Sequence, residues 1–147
     1  MVGRRKGVYL MYVTMTIPGK PIAKKRPRFF RRDIGVGTYN DQDTEEGKFM
    51  LLLTQQWPYS LPIEKDIPIE IKLNFFMPIP KSTSKKRAAL MRDGNIRHTK
   101  KPDTDNLIKF VKDCMNSVVW ADDSQVWFVA GKKLYADNPR TEIEVMF

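Results

Sequence analysis

The sequence predicts one mixed α+β domain whose elements run β-α-β-α-α-β-β. Three observations carry that reading. Ile67, Ile69, Ile71, Leu73 and Phe75 alternate with Glu70, Lys72 and Asn74, the period-two pattern of a strand with one buried face. Leu107, Phe110, Val111, Cys114 and Val118 recur at helical spacing. A length of 147 residues suits a single domain, one that buries roughly 70% of the surface of its unfolded chain.

Each element has its own signal. Residues 8–17 are rich in β-branched and aromatic side chains and stop at Pro18-Gly19, as a strand ending in a turn does. Lys20 through Arg32 holds Lys20, Lys24, Lys25, Arg26, Arg28, Arg31 and Arg32 with no acid, and Pro21 and Pro27 argue against a helix there. This segment reads as a basic loop or extended arm carrying Phe29 and Phe30. Such a loop can simply be solvated, or it can track a nucleic-acid backbone and stack its aromatics on bases. From about Gln42 to Trp57 the spacing of Phe49, Leu52, Leu53 and Gln56 is helical, and Pro58 stops it. The strand over 67–77 ends at Met77-Pro78-Ile79-Pro80. Ser82 or Ser84 caps a short basic helix through Met91, closed by Asp93-Gly94. The most clearly patterned helix starts at Asp103 or Asp105. Residues 125–135 and 140–147 read as two more strands, joined through Ala136-Asp137-Asn138-Pro139 as a hairpin.

Composition limits the function. A net charge of +9 and a pI near 9.7 point to polyanions, nucleic acid ahead of an anionic membrane surface. One cysteine, Cys114, makes no internal bridge and fits a reducing, cytoplasmic setting. With one histidine, His98, it cannot build a tetrahedral zinc site. The apolar runs are too short to cross a bilayer, and Arg4-Arg5-Lys6 before Val8–Val13 lacks the long apolar region and cleavage site of a signal peptide.

Against this basic background, acids cluster in two places: Asp103 and Asp105 at a helix start, and Asp122-Asp123 ahead of the next strand. A helix N-terminus favours negative charge, so one of the first pair is explained as a cap. Two, followed by a second pair, suggest a shared site. Convergence requires the connection after the helix to curl back toward its start. Three carboxylates and water would then form the oxygen-rich site that hard cations prefer, Mg²⁺ foremost, beside a scissile phosphate. Lys109 lies four residues after Asp105 on the same helical face. It is either an ion-pair partner worth a few tenths of a kcal/mol or a cation that neutralises the transition state. His98, among Arg97, Lys100 and Lys101, reads as phosphate-binding or structural rather than as a general base. Cys114 and Trp120 read as packing residues, and Trp57 offers nothing specific.

These residues together resemble the RusA family of Holliday junction resolvases, endodeoxyribonucleases common in bacteria and their prophages. The resemblance lies in Thr16–Pro21 with Lys24–Arg28, in Pro78–Ser82 with Ser84-Lys85-Lys86, and in His98–Leu107 with Lys109. It continues through Trp120–Val126 to Pro139–Ile143. It covers the chain from about residue 12 onward, so residues 1–10 look like an N-terminal extension and 11–147 like the endonuclease domain. It implies an α/β fold acting as a homodimer on four-way DNA junctions, cutting two opposed strands symmetrically with Mg²⁺ in recombination and repair. By the same resemblance Asp103, Asp105 and Asp123 bind the metal and Lys109 is catalytic, while Asp122 belongs to the pattern without a fixed role. Lys20, Lys24, Lys25, Arg26, Arg28, Lys85, Lys86, Lys100 and Lys101 form the expected DNA-binding set. No membrane and no small-molecule cofactor are expected. The competing readings are a basic DNA-binding module without catalysis and a less selective nuclease of flaps or forks.

Overall fold

The protein is described from a computed structural model covering residues 11–25 and 42–147, with the backbone of 28–32 and 35–39. The extension at 1–10 and Arg26 lie outside the described residues, as do the side chains of Arg28, Phe29, Phe30, Arg31 and Arg32.

The centre of the fold is β4 (Ile69–Pro78), whose Ile69, Ile71, Leu73, Phe75 and Met77 are all at most 1% exposed. A strand this apolar on one face gains most by lying between two others. It pairs in antiparallel fashion with β6 (Arg140–Met146) and in parallel with β5 (Val126–Ala136). β1 (Tyr12–Pro18) adds beyond β6, giving a four-stranded mixed sheet ordered β1-β6-β4-β5. Val13, Met15 and Ile17 of β1 and Thr141, Ile143 and Val145 of β6 continue the buried face.

Helix α1 (Asp43–Gln56) and helix α3 (Thr104–Met115) supply the rest of this core. Phe49 of α1 meets Phe110 of α3 edge to face at 5.4 Å, and Leu107, Val111, Cys114 and Met115 are buried beside them. Burial pushes the Cys114 thiol up to about 12, so it stays protonated and acts as packing. Helix α2 (Lys85–Arg92) opens at Ser84, whose side chain accepts from the Arg87 N–H, and the chain leaves it through Gly94 at φ +85°. That settles the choice between Ser82 and Ser84.

Two expectations need correction. β5 and β6 are not a hairpin: Asp137, Asn138 and Pro139 carry the chain across the end of β4, so that β6 lands on the far side of it. Crossing two strand spacings takes about 10 Å, within reach of three extended residues. The apolar β4 needed partners on both edges, and that demand outweighed adjacency in sequence. The basic segment is not wholly loop either. β2 (Arg28–Arg32) and β3 (Gly35–Tyr39) form a separate two-stranded ribbon, which adds two strands to the expected order. A ribbon outside the main sheet leaves no apolar alternation for the sequence to display.

Candidate active site

The parallel pairing of β4 and β5 fixes the direction of α3. In a parallel crossover the helix runs back against the strands, and here it lies close to β5. A Cβ added at Gly131 would come within 2.8 Å of Ile108 Cδ1. Glycine leaves room there for the Ile108 side chain, which would otherwise have to shift. The start of α3 therefore stands near the C-terminal end of β5, and its end near the strand's beginning.

Asp103 takes the N-cap position of α3, at φ −70° and ψ 145°, but its carboxylate makes no capping hydrogen bond. Asp105 lies in the first turn, and both are exposed. The helix start favours both charges without using either as a cap. Lys133 of β5 secures the loop that delivers them, its ammonium donating to the carbonyl oxygens of Lys100 (2.7 Å) and Pro102 (3.0 Å).

The segment after β1 is tied to the same place. The Lys24 N–H donates to the Asn106 carbonyl at 2.9 Å, while Gln42, fully buried, accepts from the Lys25 N–H and donates to the Ala23 carbonyl. The Lys24 side chain turns inward to Glu46 at 2.8 Å and Asp113 at 3.2 Å. Those bonds, Glu46 first, raise its pKa even though burial opposes them. Lys24 thus clamps α1 to α3, whereas Lys25 stays more open, 3.6 Å from Glu45. Lys109 pairs at 3.6 Å with Asp113, the residue one turn on, and remains 63% exposed. The sequence points to Asp105 as the ion-pair partner of this lysine; the pair formed is with Asp113, on the opposite turn.

His98 sits beside this loop with its ring 5.0 Å from Tyr135. Its Nδ1 is buried without a hydrogen-bond partner among the described residues. Burial, then the charges of Lys133 and Lys20, hold its pKa below the ordinary value, so it is neutral at physiological pH. Nearby, a cleft of about 620 Å³ is lined by residues including Ser82, Ser84, Arg87, Arg97 and Lys100. Lys85 and Lys86 occupy the first turn of α2, the end of a helix that normally repels cations, and both are exposed.

The second acidic pair is at the other end of α3. Asp122 caps the short 3₁₀ turn Asp123–Gln125, accepting from the Ser124 N–H, and that bond lowers its pKa. Asp123 Oδ1 accepts from the Trp120 indole N–H at 2.8 Å. Gln125, 7% exposed, locks the turn in place. Its oxygen accepts from the N–H groups of Ala121 and Asp122, and its amide donates to the carbonyls of Glu64 and Ile67. Sequence reasoning counted Gln125 in the family pattern but gave it no role, although Asp122-x-x-Gln125 has capping-box spacing. It likewise missed Lys133 and Gln42, which no local pattern marks.

A 12-residue helix separates the two acidic groups, so they stand on the order of 20 Å apart within one chain. Among the described residues no three acidic, histidine or cysteine side chains gather closely enough to hold a metal ion. The curl that would have brought Asp123 back to Asp103 and Asp105 in the same chain does not occur. Nor is any described helix long and apolar enough to cross a membrane.

Comparison with known proteins places this geometry. Residues 18–146 match the family described as endodeoxyribonuclease RusA. The chain is 32% identical over 140 residues to the uncharacterized protein YqaN of Bacillus subtilis (strain 168), covering 90% of this chain and 94% of that protein. It is 34% identical over 83 residues to the crossover junction endodeoxyribonuclease rusA of Lactococcus phage r1t, covering 56% of each. With nearly its whole length matched, the chain belongs to the RusA endodeoxyribonuclease family.

Proposed function

We propose that this protein is a Mg²⁺-dependent endonuclease that resolves four-way DNA junctions by paired, symmetric nicks, acting as a homodimer. The observation that carries the reading is the pair of exposed, uncapped carboxylates, Asp103 and Asp105, on a helix start set among lysines. Membership of the family and the likeness to a phage crossover junction endodeoxyribonuclease support it.

The donor set fits a hard cation: two carboxylates with open access to water and phosphate. Among the described residues no third carboxylate of the same chain joins them, so the proposed site is completed by Asp123 of a second copy. Two copies related by a two-fold axis would present two such sites, as a two-fold DNA junction requires. A divalent ion held there would neutralise charge on the scissile phosphate and promote ionisation of a water.

The remaining roles belong to side chains of this protein. Trp120 fixes one oxygen of Asp123 and so its orientation. Lys109, only loosely paired with Asp113, is placed to meet charge developing on the phosphate. Lys20, Lys25, Lys85, Lys86, Lys100 and Lys101 would hold the DNA backbone, with Arg26 and Arg28 of the basic segment, while Lys24 also serves the fold.

The test is cleavage of an end-labelled four-way junction with and without Mg²⁺, against a fork and a linear duplex of the same sequence. Asp103→Asn and Asp105→Asn should each lower cutting by at least about 100-fold, about 3 kcal/mol of barrier, while junction binding persists. Binding with no Mg²⁺-dependent cutting by the wild type would leave only a DNA-binding module. Equal cutting of fork and junction would make it a less selective nuclease.

A further inference from the structure

Helix α2 is strapped to the C-terminal end of β5. Arg92 donates to both carboxylate oxygens of Asp137, the residue just past that strand, at 2.7 and 3.0 Å. The Ile96 N–H bonds back to the Leu90 carbonyl at 3.0 Å, fixing the loop that follows the helix. The cleft of about 620 Å³ is bounded by this helix, this loop and Tyr135 of β5. Three cations line it, Arg87, Arg97 and Lys100, and among the described residues no carboxylate does. None of the three has an ion-pair partner among the described residues, whereas Lys24, Arg92, Lys109 and Arg140 all do. The cleft is also lined by the apolar Met91 and Ile96 and by Tyr135, whose ring is braced by that of His98. A second hollow of about 270 Å³ shares Met91, Ile96, Arg97 and Tyr135 and adds Lys132, Lys133 and Asp93.

We propose that this cleft is a subsite for one unpaired nucleotide of the strand being cut. Its base lies among Met91, Ile96 and Tyr135, and its phosphate is held by Arg97 with Arg87 and Lys100. Of these residues only Lys100 belongs to the expected DNA-binding set. Uncompensated cations select an anion, and the volume lies in the range of about 300–1,000 Å³ typical of small-ligand sites. A bare phosphate does not account for the cleft, because it gains nothing from apolar walls. Nor does paired duplex, which offers phosphates but keeps its base faces stacked. An unstacked nucleotide brings a charge and an aromatic face together, the combination that single-strand sites use. A base leaves the stack most cheaply where pairing is already interrupted, as it is at a junction centre. Lys100 lies three residues before Asp103, at most about 11 Å of chain, or the rise of about three nucleotides. An occupied subsite therefore sets which phosphate of the strand meets the carboxylates. That the strand is the one cut rests on the nuclease reading above; the preference of the cleft for a base does not.

The test uses the full chain without metal, so it reads the cleft independently of cutting. A short labelled DNA strand with one central thymine and abasic sugars elsewhere is titrated by fluorescence anisotropy, beside the wholly abasic strand. The thymine strand should bind about 10-fold more tightly. Thr99→Trp fills the cleft from an exposed position on its lining, and Tyr135→Leu removes the ring. Each should bring the two strands to within about 2-fold of one another, with an unchanged circular dichroism spectrum for Thr99→Trp. Arg97→Ala should weaken both strands and keep their ratio. Lys72→Ala, at an exposed position of β4 outside the cleft, should also keep the ratio. Equal binding of the two strands by the wild type would reduce the cleft to a phosphate contact and overturn the subsite. A preference that survives both Thr99→Trp and Tyr135→Leu would place the base elsewhere and overturn it too, as would binding indifferent to Arg97→Ala. A base preference lodged in the cleft of a protein that cuts no junction would overturn the nuclease reading instead.

Discussion

Lys133 donates to the carbonyl oxygen of Pro102 at 3.0 Å, one residue ahead of Asp103. A lysine near the end of β5 thereby sets the position of an acid at the start of α3. Lys133→Met keeps the stem and removes the donor. Junction cleavage should fall by about 10-fold, equivalent to about 1.4 kcal/mol, with little change in Tm. Single-turnover kinetics beside a thermal melt would check this, and an unchanged rate would return Lys133 to a purely structural role.

A site shared between copies makes a prediction that a site within one chain does not. Asp103→Asn and Asp123→Asn, each inactive alone, should recover nicking when mixed. A mixed dimer joins the intact Asp103 of one copy to the intact Asp123 of the other. Random exchange should restore about a quarter of the wild-type nicking rate, from one site in half of the dimers. No recovery after the copies have demonstrably exchanged would place all three acids in one chain's site.

Lys109 and Asp113 can be separated by paired substitutions. Lys109→Ala should slow cutting by about 10- to 100-fold while leaving DNA affinity nearly constant, as expected for a group used mainly in the transition state. Asp113→Asn should retain most activity but lower stability, because Lys24 also depends on it. If both variants lost activity equally, the ion pair, and not the free ammonium, would be the important unit.

Gln125 satisfies four backbone groups at the turn that carries Asp123. Gln125→Ala strands buried donors and acceptors and should cost about 2–4 kcal/mol. Chemical denaturation measures the loss. Gln125→Glu, which keeps the acceptor but brings a charge and loses the amide donor, should recover only part of it.

His98 predicts a pH dependence of stability. Its folded pKa lies below the unfolded value of about 6.5. As pH falls through 6.5 the unfolded chain takes up a proton that the folded chain resists, so stability declines from there downward. Between about pH 7.5 and 5.5, the Tm of the wild type should drop more than that of His98→Gln. Parallel curves would show that burial beside Tyr135, Lys133 and Lys20 does not hold the imidazole neutral.

Periodic patterns made much of this protein legible in its sequence. The alternation of β4, the stripe of α3, the proline stops and the Ser84 cap are local features, decided by the side-chain period and by the chemistry of a few neighbouring residues. The family resemblance and the residues carrying it were legible as well. The tertiary structure alone decided that β4 takes both neighbours and so separates β5 from β6. It also decided that the parallel β5 sends Asp123 to the far end of α3, and that Lys24 turns inward while Lys133 buttresses the acids. These are relations between segments far apart in sequence. They depend on which edges and faces find partners when the sheet assembles, and no local period encodes that.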